Sequence, residues 1–114
     1  MDSYLIGEVL FEGVTVYTPW APPQGNSAIF AVDVMGISGL TLTVTLQTKA
    51  HDATDESANI SEPGSISSVT ATGVARSSEI ANFKGLFRYK ISTGGTASMD
   101  WVWLRLLDPG WRLN

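Results

Sequence analysis

The sequence predicts an all-β protein, an antiparallel β-sandwich with a jelly-roll-like arrangement that forms a single domain over residues 1–114. Several segments alternate apolar and polar residues, as half-buried strands do. Turn-forming residues separate these segments at short intervals, which is typical of antiparallel sheets. No segment carries a sustained apolar stripe with the helical period of 3.6 residues, so we expect very little helix.

The clearest strand is Leu40–Lys49, with the sequence LTLTVTLQTK. Successive side chains of a strand point to opposite faces. One face of this strand holds Leu40, Leu42, Val44 and Leu46. The other face holds Thr41, Thr43, Thr45, Gln47 and Lys49. We therefore expect the leucine–valine face to be buried and the polar face to be in water.

Alternation or β-branched and aromatic composition predicts the remaining strands. In chain order they are Tyr4–Phe11, Val14–Tyr17, Ala28–Val34, Ser65–Val74, Phe83–Ile91 and Ala97–Leu107. The small residues of Ser65–Val74 indicate a strand at a sheet edge or beneath another layer. Gly36 and Gly39 bracket a tight connection, so Ala28–Lys49 is the strongest hairpin candidate.

Two longer loops interrupt the strands. The first lies near residues 18–27, TPWAPPQGNS, and its three prolines favour an extended, polyproline-like backbone. The second lies near residues 50–64 and is rich in Asp, Ser and Asn, which predicts an exposed loop. It holds His51 and four acidic residues, but their spacing differs from that of calcium-binding loops. We therefore expect no metal site there.

Composition argues against several classes of function. The formal net charge of −4 argues against a nucleic-acid partner, which needs clustered Lys and Arg. The chain has no cysteine and one histidine, and no serine lies in a nucleophile-elbow pattern, so we expect neither an enzyme nor a bound cofactor. No apolar run approaches the roughly 18 residues of a membrane helix, and the N-terminus lacks the basic region of a signal peptide. We expect a soluble protein made in the cytoplasm with no membrane partner.

The four tryptophans are the strongest functional signal. Trp101 and Trp103 share one face of a strand whose other face carries Val102 and Leu104. A strand that is apolar on both sides indicates a core on one side and a neighbouring layer or subunit on the other. A flat platform that stacks on sugar rings is the alternative. Interfaces favour Trp and Arg, so the candidate partner or subunit contacts are Trp20, Trp101, Trp103, Trp111 and Arg112.

The C-terminal half contains NFKGLFRYKISTGG followed by MDWVWLRLLDPGW. This order of a basic-aromatic strand, a glycine turn, a tryptophan-rich strand and a closing Pro-Gly-Trp resembles small all-β virion structural proteins of tailed bacteriophages, over roughly residues 38–114. The resemblance implies a capsid decoration (cement) protein, located on the capsid exterior, with the major capsid protein as partner and commonly a homotrimer. A carbohydrate-binding β-sandwich module and a tail or connector subunit remain alternatives.

On this interpretation, the proline-rich loop and the chain ends are the segments expected to face the capsid, because free loops and termini order on contact. Trp20 and Trp111 lie in these segments, so both are expected to occupy flexible, loop-like settings. They are the first anchors that the sequence suggests.

Overall fold

The computed structural model describes residues 8–11, 13–94, 100–107 and 109–112. The strands of the first half are β1 Glu8–Phe11, β2 Thr15–Tyr17, β3 Ser27–Ile29, β4 Ala31–Ser38 and β5 Thr41–Lys49. A single-turn 3-10 helix, Ser57–Asn59, precedes β6 Ser61–Val69, β7 Gly73–Arg76, β8 Leu86–Gly94, β9 Trp101–Leu106 and β10 Gly110–Arg112. The starts predicted at Tyr4 and Ala97 for the first and last strands lie outside the described residues.

The strands form two antiparallel four-stranded sheets and one small pair. Sheet A has the order β1-β9-β4-β7, sheet B has the order β2-β8-β5-β6, and β10 pairs with β3. Within each sheet, early strands pair with late ones in a nested series: β1 with β9, β2 with β8, β4 with β7, and β5 with β6. This is the strand order of a jelly roll. The predicted all-β sandwich is confirmed.

The predicted hairpin over Ala28–Lys49 is wrong. Strand β4 pairs with β9 and β7 in sheet A, whereas β5 pairs with β8 and β6 in sheet B. The connection turns at Gly39, whose φ of +73° suits glycine because it has no Cβ. The short connection thus carries the chain from one layer to the other, so that the apolar faces of β4 and β5 meet across the core instead of their edges pairing.

The core lies between the two sheets. Leu42, Val44 and Leu46 are at most 2% exposed, as the alternation in β5 predicts. Sheet A contributes Val32, Val34, Val102, Leu104 and Leu106 from its inner face, all buried. Ring–ring contacts extend the core through an aromatic cluster of Phe30, Phe83, Phe87, Tyr89 and Trp111, with centroids 5.2–6.2 Å apart. Phe83 belongs to this cluster although β8 begins only at Leu86.

The outer face of β5 is more covered than its sequence predicts. Thr43 and Thr45 are half-buried, but Gln47 and Lys49 are only 6% and 7% exposed, so the expectation that they face water is wrong. The Lys49 ammonium donates hydrogen bonds to Asp55 and to the carbonyl of Ala53. The loop that directly follows β5, together with Trp20, therefore covers this end of sheet B.

The two predicted loops are also more ordered than expected. The polar loop ends at residue 60, because β6 already begins at Ser61, and the proline at position 63 is tolerated in β6 because β6 is an edge strand. The predicted strand Ser65–Val74 is divided between β6 and β7, and both are edge strands. In the proline-rich loop, Ala21 and Phe87 exchange two backbone hydrogen bonds of 2.9 and 2.8 Å, which tie the loop to β8.

Candidate functional site

Three exposed aromatic side chains lie together on the outer side of sheet A. Trp101 and Trp103 point outward from β9 and are 37% and 43% exposed. Phe11 lies directly opposite Trp101 in the β1–β9 pair and is 49% exposed. The predicted shared face of the two tryptophans is confirmed. We call Phe11, Trp101 and Trp103 the aromatic face.

A bulge in β4 places a glycine beneath the aromatic face. The β4–β9 register shifts between Val34 and Gly36, which puts one extra residue into β4. As a result Gly36 lies opposite Trp103, and a Cβ on Gly36 would meet the Trp101 ring at 2.9 Å. The Trp101 indole therefore lies against bare backbone, which only glycine allows at this position.

Two charged side chains beside the aromatic face pair with each other. Asp33 and Arg105 are cross-strand neighbours on β4 and β9, and the Arg105 Nε donates to Asp33 Oδ2 at 3.0 Å. Val74, opposite Asp33 on β7, adds a further exposed apolar side chain. This surface is suited to contact with another macromolecule through apolar and aromatic groups.

The structure places Trp111 elsewhere. It lies in β10, and its ring packs against Phe83 and Phe87 with centroids 5.3 and 5.2 Å apart. The expectation of a flexible, loop-like setting is wrong for Trp111, because β10 pairs with β3 and holds the ring against the core. The neighbouring Arg112 is exposed, and its Nη1 lies 4.0 Å from Glu79 Oε1.

Trp20 occupies a third place, on the outer side of sheet B. It is half-buried, with the guanidinium carbon of Arg88 at 4.3 Å and Lys49 Nζ at 4.7 Å from its ring centre. Cations over an indole ring are held by the negative potential of its face. The five candidate residues are therefore not one site: Trp101 and Trp103 share a face, while Trp20, and Trp111 with Arg112, lie apart from it.

A cavity of about 440 Å³ beside Trp20 is a site that sequence reasoning missed. We call it the polar pocket, and its functional lining consists of Tyr17, Gln47, Asp55, Glu62, Arg88 and Lys90. Strands β2, β5, β6 and β8 and the segment before β6 contribute these side chains. In the sequence, only the alternation of β8 bears on this pocket, because it predicts that Arg88 and Lys90 point outward. It does not indicate the other lining residues.

Hydrogen bonds fix most polar groups of the pocket. Arg88 Nε donates to Gln47 Oε1 at 2.8 Å, and Gln47 Nε2 donates to Glu62 Oε2 at 2.8 Å. The hydrogen bond from Lys49 is the main reason why the pKa of Asp55 lies below its ordinary value, and the charges of Lys49 and Arg88 act in the same direction. The Trp20 indole N–H adds a smaller lowering of that pKa, although its geometry is outside that of a normal hydrogen bond.

Within the described part of the chain, no group of three or more His, Cys, Asp or Glu side chains is placed to hold a metal ion. No helix among the described residues is long and apolar enough to cross a membrane. No protein-family model, curated protein or solved structure matches this chain.

Proposed function

We propose that this protein is a virion structural protein that decorates the outside of a phage head and binds the major capsid protein through the aromatic face. The observation that carries the proposal is the grouping of Phe11, Trp101 and Trp103 on the outer side of sheet A. Large aromatic side chains are enriched in protein–protein contacts and provide most of the binding energy there.

The setting of these side chains favours a contact surface. Trp101 and Trp103 project from a regular strand between β1 and β4, so little backbone freedom is lost when a partner covers them. The only nearby ion pair among the described residues, Asp33–Arg105, neutralises itself across the two strands. When a partner covers the aromatic face, Asp33 and Arg105 therefore stay paired, and neither charge is buried without its counter-charge.

A separate observation supports a phage capsid as the partner. The segment between Phe83 and Trp111 resembles small virion proteins in its order of basic-aromatic strand, glycine turn and tryptophan-rich strand. Jelly rolls occur in viral capsid proteins and also in lectins, so the fold agrees with the proposal without deciding it. Only 16% of the residues are charged, against about a quarter in ordinary soluble domains, which fits a surface that is partly covered in an assembly.

The proposed mechanism is thermodynamic. A protein that binds the assembled shell but not the dissociated subunits shifts the equilibrium toward the shell by mass action. Many copies of a modest contact then raise the resistance of the head to heat or internal pressure. No chemical step is required.

The test uses shells that have been stripped of this protein. Wild-type protein is expected to bind the shell exterior and to raise the temperature at which the shell disrupts. Trp101→Ala and Trp103→Ala are each expected to weaken binding by about 2 kcal/mol, the scale of an interface hot spot, while the isolated domain stays folded. Tyr17→Ala is the matched control, because it removes an exposed aromatic side chain from the opposite sheet. Equal loss in all three variants, or no loss in the tryptophan variants, would contradict the proposed surface.

Two alternatives predict different outcomes. If the aromatic face stacks on sugars instead, the wild-type protein binds a neutral glycan on an array and does not bind shells, and the tryptophan variants lose the glycan binding. If the protein is a tail or connector subunit, imaging of the virion locates it away from the head exterior. Either result would replace the decoration proposal.

A further inference from the structure

The polar pocket on sheet B lies on the side of the sandwich opposite the aromatic face, and the proposed function does not use it. Its volume of about 440 Å³ is within the range of small-ligand sites. It therefore offers room for one or two sugar rings or a molecule of similar size.

The pocket contains a cation whose position is fixed in advance. The Arg88 guanidinium carbon lies 4.2 Å from the ring centre of Tyr17 and 4.3 Å from that of Trp20. Its Nε is engaged by Gln47, but its two terminal nitrogens donate no hydrogen bond within the described residues. These terminal donors have the planar geometry that matches a carboxylate group.

A second cation lies on the same face. Lys90 follows Arg88 by two residues on β8, so both side chains project from the outer side of sheet B. No carboxylate lies within ion-pair distance of Lys90 in the described part of the chain. Two cations without ion-pair partners in a chain of net charge −4 indicate a ligand that carries a negative charge.

The remaining groups point to a ligand with hydroxyls and an apolar ring face. Glu62 accepts from Gln47 through one carboxylate oxygen, and its other oxygen accepts no hydrogen bond within the described residues. A sugar hydroxyl is a suitable donor to that oxygen. Tyr17 is 48% exposed at the side of the cavity, and the part of its ring that Arg88 does not cover is aromatic surface on which a pyranose ring can pack.

We propose that the polar pocket binds an acidic saccharide, a pyranose that carries a carboxylate. The carboxylate accepts hydrogen bonds from the terminal nitrogens of Arg88 and from Lys90, a hydroxyl donates to Glu62, and the ring packs against Tyr17. A phosphate ligand fits less well, because its higher charge is repelled by Asp55 and Glu62 at the same cavity. Sialic acids and hexuronates share the required chemistry.

Titration of the isolated, isotopically labelled protein by NMR tests the proposal. The probes are N-acetylneuraminic acid, a glucuronate-containing disaccharide, neutral lactose, acetate and inorganic phosphate. We expect saturable shifts at Gln47, Arg88 and Lys90 with at least one of the two acidic sugars, and the stronger of the two identifies the source. Lactose and acetate are expected to bind at least about tenfold more weakly, since each offers only part of the contacts.

Two variants keep the result interpretable. Lys90→Gln and Tyr17→Ala alter exposed or half-exposed groups and are expected to stay folded while each weakens acidic-sugar binding by about tenfold. Trp103→Ala, on the opposite sheet, is expected to leave it unchanged. The saccharide proposal is overturned if neither acidic sugar saturates, if phosphate or acetate binds as tightly as the sugars, or if Lys90→Gln has no effect. Because these titrations use no shells, their outcome is independent of the capsid-binding test.

Discussion

Gly36 is the residue on which the shape of the aromatic face depends. Because of the bulge in β4, a side chain at position 36 would point to the outer side of sheet A. The Trp101 ring occupies that space and lies within 3.0 Å of where a Cβ would be. The ring end, unlike the backbone beneath it, can move. A side chain at position 36 would therefore displace the indole and leave the strand in place.

For Gly36→Ala we expect a changed chemical shift of the Trp101 indole N–H and a loss of unfolding free energy below about 1 kcal/mol. The loss is small because the displaced ring lies outside the core. NMR and chemical denaturation measure the two effects. Gly94→Ala is the control, since no heavy atom lies within 4 Å of a Cβ there. An unchanged Trp101 signal in Gly36→Ala would show that the ring does not rest on this glycine.

Strand β5 is the element that links both sides of sheet B. Its inner face carries Leu42, Val44 and Leu46 into the core, and its neighbours on either side are β8 and β6. Its outer face changes character along its length, from exposed Thr41 to buried Lys49. The same strand therefore stabilises the sandwich and supplies Gln47 to the polar pocket.

Val44→Asp tests the inner face of β5. Val44 is 2% exposed and belongs to the apolar core, so an aspartate there would bury a charge among apolar side chains, and we expect a loss of several kcal/mol of unfolding free energy, of order 3 or more. Chemical denaturation with a circular dichroism readout measures it. Thr41→Asp places the same charge at an exposed position on the same strand and is expected to cost little. Similar losses for the two variants would contradict the assignment of faces.

At the scale of the whole molecule, the jelly roll separates two surfaces of different chemistry. The outer side of sheet A carries the aromatic face, whereas that of sheet B has a cavity with fixed cations and carboxylates. If sheet A rests on a shell, the polar pocket faces away from it. A head-bound protein would then present a saccharide site to the outside.

Self-association is the prediction at this scale. We expect a homotrimer, because the proposed decoration role implies one and because only 16% of the residues are charged, which fits a surface partly covered by neighbouring subunits. Sedimentation at tens of micromolar measures it. The double variant Trp101→Ala, Trp103→Ala is expected to remain trimeric, since the aromatic face is proposed to contact the capsid. Only monomer in the wild type would contradict the trimer, and loss of the trimer in the double variant would reassign the aromatic face to contacts between subunits.

The sequence by itself determined the faces of the strands. In β8, β9 and residues 41–46 of β5 the period of two places the buried residues on one side, because successive side chains of an extended backbone point in opposite directions. This was sufficient for the all-β sandwich and for the shared face of Trp101 and Trp103. The same local rule does not specify which strands pair, because pairing depends on contacts between distant parts of the chain.

Only the tertiary structure decided the rest. The nested pairing placed β4 and β5 in opposite sheets, although their short connection predicted a hairpin. The separate β10–β3 pair placed Trp111 in the aromatic cluster, whereas its Pro-Gly neighbourhood predicted a loop. The packing of sheet B also assembled the polar pocket from strands and a loop that are far apart in sequence, and it buried Lys49. Alternation determines the direction in which a side chain points, but what covers that side chain depends on the packing of the whole chain.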